Sequence, residues 1–156
     1  MTDNPKFLAA LAALGSAGLL LGALYFQYFQ GLPPCHLCIL QRWPHGIAIA
    51  LGVLAVALGW RVLPLAGAAA MIVGAGIAVY HTGVERGFWE GPSTCTTSQG
   101  AGLSTDQLLD QIMKAPIVRC DEVAWTFLHL SMASWNAIFS LVLAGIWLMA
   151  FRAASR

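Results

Sequence analysis

Charge is what this sequence has least of. Only 10% of its 156 residues are Asp, Glu, Lys or Arg, where a soluble domain usually carries about 25%. The deficit is concentrated, because residues 7–34, 43–60, 62–80 and 123–151 contain none of the four. Each run contains or approaches the roughly 20 apolar residues that cross about 30 Å of hydrocarbon. Four such runs leave little chain for a separate soluble domain. The first also lacks the short apolar core and small-residue cleavage site of a secretory signal. It continues through Leu19, Leu20 and Leu21 to Phe26, so an uncleaved span is expected.

Other absences narrow the chemistry. No glycine-rich nucleotide loop is present, since Gly67, Gly74 and Gly76 lie inside an apolar run. No flavin motif appears. Haem attachment needs a histidine directly after the second cysteine of a C-x-x-C, and Ile39 stands there. There is no internal repeat and no low-complexity tract.

What remains predicts an all-α membrane protein: a four-helix transmembrane bundle forming one domain over residues 1–156, with spans at about 7–26, 43–59, 65–80 and 130–151. Two extracytoplasmic loops follow, at about 27–42 and 81–129. Gly18 and Gly22 have the spacing that lets a neighbouring helix approach closely, although glycine is also simply common in membrane helices. Within the long loop, Ser104, Gln107, Leu103 and Leu108 have the spacing of a capping box and hydrophobic staple. The apolar face of Leu108, Leu109, Ile112 and Met113 then predicts a short amphipathic helix lying in the interface. Such a helix would tether the loop.

Basic residues set the orientation. Lys6, Arg61, Arg152 and Arg156, with Asp3, fall on one side and sum to +3, while the other side holds four basic residues against six acidic ones. The expected location is a bacterial inner (cytoplasmic) membrane with both termini cytoplasmic. Cys35, Cys38, Cys95 and Cys120 all then face the oxidising outer side, where disulfides form.

Four cysteines permit three connectivities. The simplest pairs Cys35 with Cys38 and Cys95 with Cys120. The second bond closes a long loop and reads first as a staple of about 3 kcal/mol. The first closes a ring too short to staple much, and a C-x-x-C setting favours thiol exchange instead. Zinc would ask for a second close pair or a pair of histidines, whereas Cys95 and Cys120 stand far apart, so the spacing favours redox chemistry and no metal. Arg42 follows Cys38 by four residues and shares its face if the segment is helical. A fixed cation there would stabilise a thiolate or the developing oxyanion of an electron acceptor; equally, it could snorkel to headgroups. An acceptor dissolved in the bilayer, such as a quinone, would need only an apolar cleft near the cysteines.

Three stretches carry a resemblance. CHLCILQRWPH, from Cys35 to His45, resembles the signature of the DsbB family of quinone-dependent, disulfide-generating membrane proteins. YHTGVERGFWEGPSTC, ending at Cys95, and APIVRCDEVAWTFLHLSMASWN, ending at Asn136, resemble the family's approaches to its two loop cysteines. The resemblance implies that a reduced periplasmic DsbA-like, thioredoxin-fold oxidase attacks the Cys95–Cys120 disulfide, most readily at Cys95. Electrons then pass to Cys35–Cys38 and from Cys38 to ubiquinone or menaquinone. Arg42 stabilises the charge and His81 frames the quinone head. Exchange between the pairs implies a loop that swings toward Cys35. The implied partners are that oxidase, the quinone pool and the lipid bilayer, with no nucleic acid.

By themselves the remaining polar residues say less. A lone histidine such as His81 at an interface is ordinarily structural, Glu85 reads as a solvated loop residue, and His45 as an interface residue. His129 has no expected role. Trp89, Trp125 and Trp135 read as interface anchors. Two other functions fit some of the pattern: a structural membrane protein stapled by disulfides, and a vitamin-K-epoxide-reductase-like oxidoreductase. In the latter family the quinone-side C-x-x-C follows the loop cysteines, whereas here it precedes them.

Overall fold

A computed structural model describes residues 4–92 and 119–155. Four helices in it are long and apolar enough to cross a membrane. Helix α1 is Pro5–Tyr28, started by Pro5 and by Asn4, whose Oδ1 accepts from the amides of Lys6 and Phe7 at 3.0 and 3.3 Å. A one-turn helix α2, His36–Leu40, leads through Gln41 into α3, Arg42–Leu58. Gly59 ends α3 in the left-handed conformation, at φ 69°, where only glycine is unstrained. Helix α4 is Leu63–Glu85 and α5 is Met132–Ala153, the latter capped by the Ser131 hydroxyl.

The bundle packs in the ring α1–α3–α4–α5, with α5 closing on α1. Small residues make this possible. Ala9, Ala12, Ala48 and Ala68 are fully buried around Met71 and Trp147. The Trp147 indole lies directly on Gly67, and Ala13 on Gly52, where an added methyl would overlap. Outward faces are apolar: Leu14, Leu21 and Val53 are each more than 60% exposed, the pattern of side chains that meet lipid rather than water.

Gly18 and Gly22 make no such helix contact, since a Cβ at either would meet nothing within 4 Å. Both line a cavity instead. The close approaches belong to other glycines, because the spacing alone does not tell which face of α1 has a neighbour.

Helices also run past the charge-free cores. Helix α4 continues five residues beyond the expected 65–80 to Glu85. Its last polar residues stay helical because His81 and Glu85 turn inward onto the bundle, their side chains 4% and 7% exposed. Glu85 is therefore not solvated, contrary to its expected place in a loop. The outer segment 27–42 likewise contains α2. Strands β1, Thr126–Phe127, and β2, Leu130–Ser131, form a small antiparallel hairpin before α5, an addition to the all-α expectation. Leu128 and His129 make its turn at φ 50° and 63°. Cys95 and the expected interfacial helix around 103–113 lie outside the described residues.

Candidate redox and quinone-binding site

The site is assembled where α2 meets the bundle. Residues 33–34 are both proline, and proline holds its φ fixed and disfavours a helical conformation in the residue before it. Helix α2 starts immediately after, with Cys35 as its N-cap. The Cys35 sulfur accepts the Cys38 amide at 3.2 Å, so the C-x-x-C spacing caps its own helix. The same turn brings the two sulfurs to 2.7 Å, with Cys35 donating to Cys38. Both are free thiols. The expected Cys35–Cys38 pairing brings these two sulfurs side by side, with no bond between them in this structure. The hydrogen bond to Cys38, and after it burial, pushes the Cys35 thiol well above the usual range. Cys35 holds its proton.

Cys120 is buried and disulfide-bonded. It packs in one cluster with Cys35, Leu37 and Val84, against which Cys38 also rests. Cys120 and Cys35 thus share one buried cluster. Apolar side chains around the sulfurs, Leu37 and Val84, provide the reason.

His81 stands over this cluster from α4. Its Nε2 is 3.6 Å from the Cys35 sulfur and 3.9 Å from Glu85 Oε1. The Cys120 backbone also hydrogen-bonds to it. On the far side of the ring, Nδ1 is 2.7 Å from Gln41 Nε2. Gln41 in turn accepts from Asn136 Nδ2 at 2.7 Å, and Asn136 Oδ1 lies 2.9 Å from His45 Nε2. His45 is buried in the bundle. Gln41 and Asn136 carried no assignment from sequence. Their available signal was a polar residue within or beside an apolar run, which in a membrane is expensive unless it has a partner.

Arg42 begins α3 one turn after Cys38. Its Nη1 donates to Gln27 Oε1 of α1 at 2.6 Å, while its buried Nε has no hydrogen-bond partner among the described residues. Cys38 and Arg42 line a common cavity of about 450 Å³, within the range of small-molecule sites. One wall is α1, including Gly18, Gly22 and Phe26; the opposite wall is α5, including Ala133 and Phe139. Trp125, Phe127 and Trp135 also line it. Trp125 packs on Phe26 at 5.1 Å, and Trp135 Nε1 donates to the Phe127 carbonyl at 3.0 Å. These two tryptophans build a cavity wall in addition to any role at the interface. Trp89 covers Gly83 and stacks on Tyr80 at the end of α4.

A buried dithiol beside an apolar cavity and a fixed guanidinium is a redox arrangement, and known sequences agree with it. The family model "Disulfide bond formation protein DsbB" matches residues 5–150. The chain belongs to the DsbB family. Among curated DsbB relatives, the disulfide bond formation protein B of Methylococcus capsulatus is 38% identical, covering 94% of this chain and 93% of its own. That of Marinobacter nauticus is 31% identical over 97% of this chain and 95% of its own. No solved structure matches the chain. As a DsbB-family thiol oxidase, this is a membrane protein of disulfide formation with a helical bundle of four candidate spans.

Proposed function

We propose that this chain reoxidises a periplasmic, DsbA-like thioredoxin-fold oxidase and delivers the electrons to a membrane quinone. The carrying observation is that the free Cys35–Cys38 dithiol and the Arg42 guanidinium border one apolar cavity between α1 and α5. The residues fit a quinone. Gly18 and Gly22 leave the α1 wall open, and Arg42 keeps a buried N–H without a partner. The quinone supplies the oxidising power, taking up two electrons and two protons.

In this reading the partner's thiolate attacks Cys95, breaking a Cys95–Cys120 bond and releasing Cys120. Cys120, already packed in the cluster with Cys35, attacks Cys35 and releases Cys38 as a thiolate. The second thiol of the partner then resolves the mixed disulfide at Cys95, and return of the Cys95–Cys120 bond leaves Cys35 and Cys38 reduced. Closing the Cys35–Cys38 bond sends two electrons out and leaves two protons, so dithiol plus quinone gives disulfide plus quinol. Arg42 holds negative charge at the cavity, and His81 orders the Cys35 side. Placement in the inner membrane with both termini cytoplasmic follows from the distribution of basic residues and puts the dithiol on the partner's side.

The test is purified protein with a reduced thioredoxin-fold partner and a soluble quinone analogue, following quinone absorbance. Cys38→Ser is expected to abolish quinone reduction from any donor. Cys95→Ser is expected to abolish only the partner-driven part and to leave reduction by a small dithiol. A quinone signal that survives Cys38→Ser would overturn the proposal.

A further inference from the structure

Four side chains, His45, Asn136, Gln41 and His81, link the centre of the bundle to the dithiol, and the direction of each hydrogen bond between them can be deduced. Gln41 Nε2 lies 3.2 Å from the Leu37 carbonyl oxygen. A carbonyl only accepts, so this end of the Gln41 amide is the nitrogen. Its second hydrogen goes to His81 Nδ1 at 2.7 Å. Nδ1 is then the accepting nitrogen, and a neutral imidazole carries its hydrogen on Nε2, which faces the Cys35 sulfur at 3.6 Å. Cys35 already receives the Cys38 amide, and its own S–H points to Cys38 at 2.7 Å. Upstream, Gln41 Oε1 receives Asn136 Nδ2, which leaves Asn136 Oδ1 to receive His45 Nε2–H. Every donor points the same way, from His45 to Cys38. Reversing the chain would set Gln41 Oε1 against the Leu37 carbonyl, acceptor against acceptor.

We infer that Gln41 and Asn136 are positioning residues: with His45 they impose a one-way hydrogen-bond chain that fixes His81 as the Nε2–H tautomer and so presents an N–H donor to the Cys35 sulfur, where it stabilises charge as that sulfur exchanges. The amides cannot hop protons as an imidazole or water would, so the chain orients rather than conducts. Such aligned bonds reinforce one another where water is absent. Gln41, His45 and His81 are all buried and Asn136 is half-buried. Glu85 Oε1, at 3.9 Å, and the Cys120 backbone approach the same imidazole. Both are groups to which an Nε2–H can donate, so neither opposes the assignment. The inference rests on the proposed dithiol-to-quinone reading only for why a donor at Cys35 matters.

The test uses neither quinone nor partner, so its failure is distinct from a failure of that reading. In the reduced full chain with isotope-labelled histidines, the ring-nitrogen chemical shifts of His81 report which nitrogen carries the hydrogen. Alkylation mapped by peptide mass reports the ratio of Cys38 to Cys35 reactivity. The expected wild-type result is hydrogen on Nε2 and Cys38 much the faster sulfur. Asn136→Leu removes the donor to Gln41. Asn136→Asp keeps the acceptor for His45 but presents no donor to Gln41, in a side chain of nearly unchanged shape. Both variants are expected to shift His81 away from the Nε2–H form and, by removing the donor at Cys35, to raise the Cys38:Cys35 ratio about tenfold, the scale of one hydrogen bond to a charged group. An unchanged tautomer in Asn136→Asp, or an altered tautomer with an unchanged alkylation ratio, would overturn the inference.

Discussion

At Arg42, position and charge matter separately. The guanidinium is tied to Gln27 through one nitrogen, and its Nε lies buried without a partner at the cavity that Cys38 lines. Arg42→Met is expected to lower kcat/KM for quinone about a hundredfold, the usual loss for one preorganised donor to developing negative charge. Arg42→Lys restores the charge but not the planar fork, so partial recovery is expected; full activity in Arg42→Met would mean that the arginine serves only as an anchor. For Cys35 the hydrogen bond to Cys38 and burial favour the neutral thiol. Its alkylation in the reduced protein is therefore expected to stay slow as pH rises through the ordinary thiol range near 8.5, where an unhindered cysteine would accelerate. Residue by residue, the sequence made the reactive groups legible because C-x-x-C followed by arginine has chemistry at fixed local spacing. It left Gln41 and Asn136 unread and gave His45 only a place at an interface, because the His45–Asn136 bond joins positions 91 apart and only the bundle brings them together.

Among the elements, α1 and α4 use glycine for opposite ends. Gly67 of α4 lets Trp147 lie flat on the backbone, while Gly18 and Gly22 of α1 leave space open at the cavity. Gly67→Ala is expected to destabilise the bundle by roughly 1–3 kcal/mol, as overpacking does, measurable as a lower unfolding midpoint in mixed detergent. Gly22→Phe is expected to spare that midpoint and raise KM for quinone; a midpoint that falls as far as for Gly67→Ala would place Gly22 in the helix packing after all. The four long helices were legible as charge-free runs, because lipid demands apolar side chains over a whole span. Their ends were not. A helix whose last turns carry His81 and Glu85 into a buried site looks, by composition, like the start of a loop.

For the molecule as a whole, the fold puts Cys35, Cys38 and Cys120 beside one largely apolar cavity. Membrane-impermeant thiol reagents, applied to intact cells after mild reduction, are expected to mark the loop cysteines from outside while leaving single cysteines introduced beside Arg61 untouched. The reverse pattern would invert the topology. The most direct measurement of the central claim is an anaerobic titration of the reduced chain with a soluble quinone, counting quinol formed and mapping disulfides by mass. The account requires one quinol for each Cys35–Cys38 bond that closes. Quinone left unreduced, or reduced while Cys35 and Cys38 remain thiols, would contradict it.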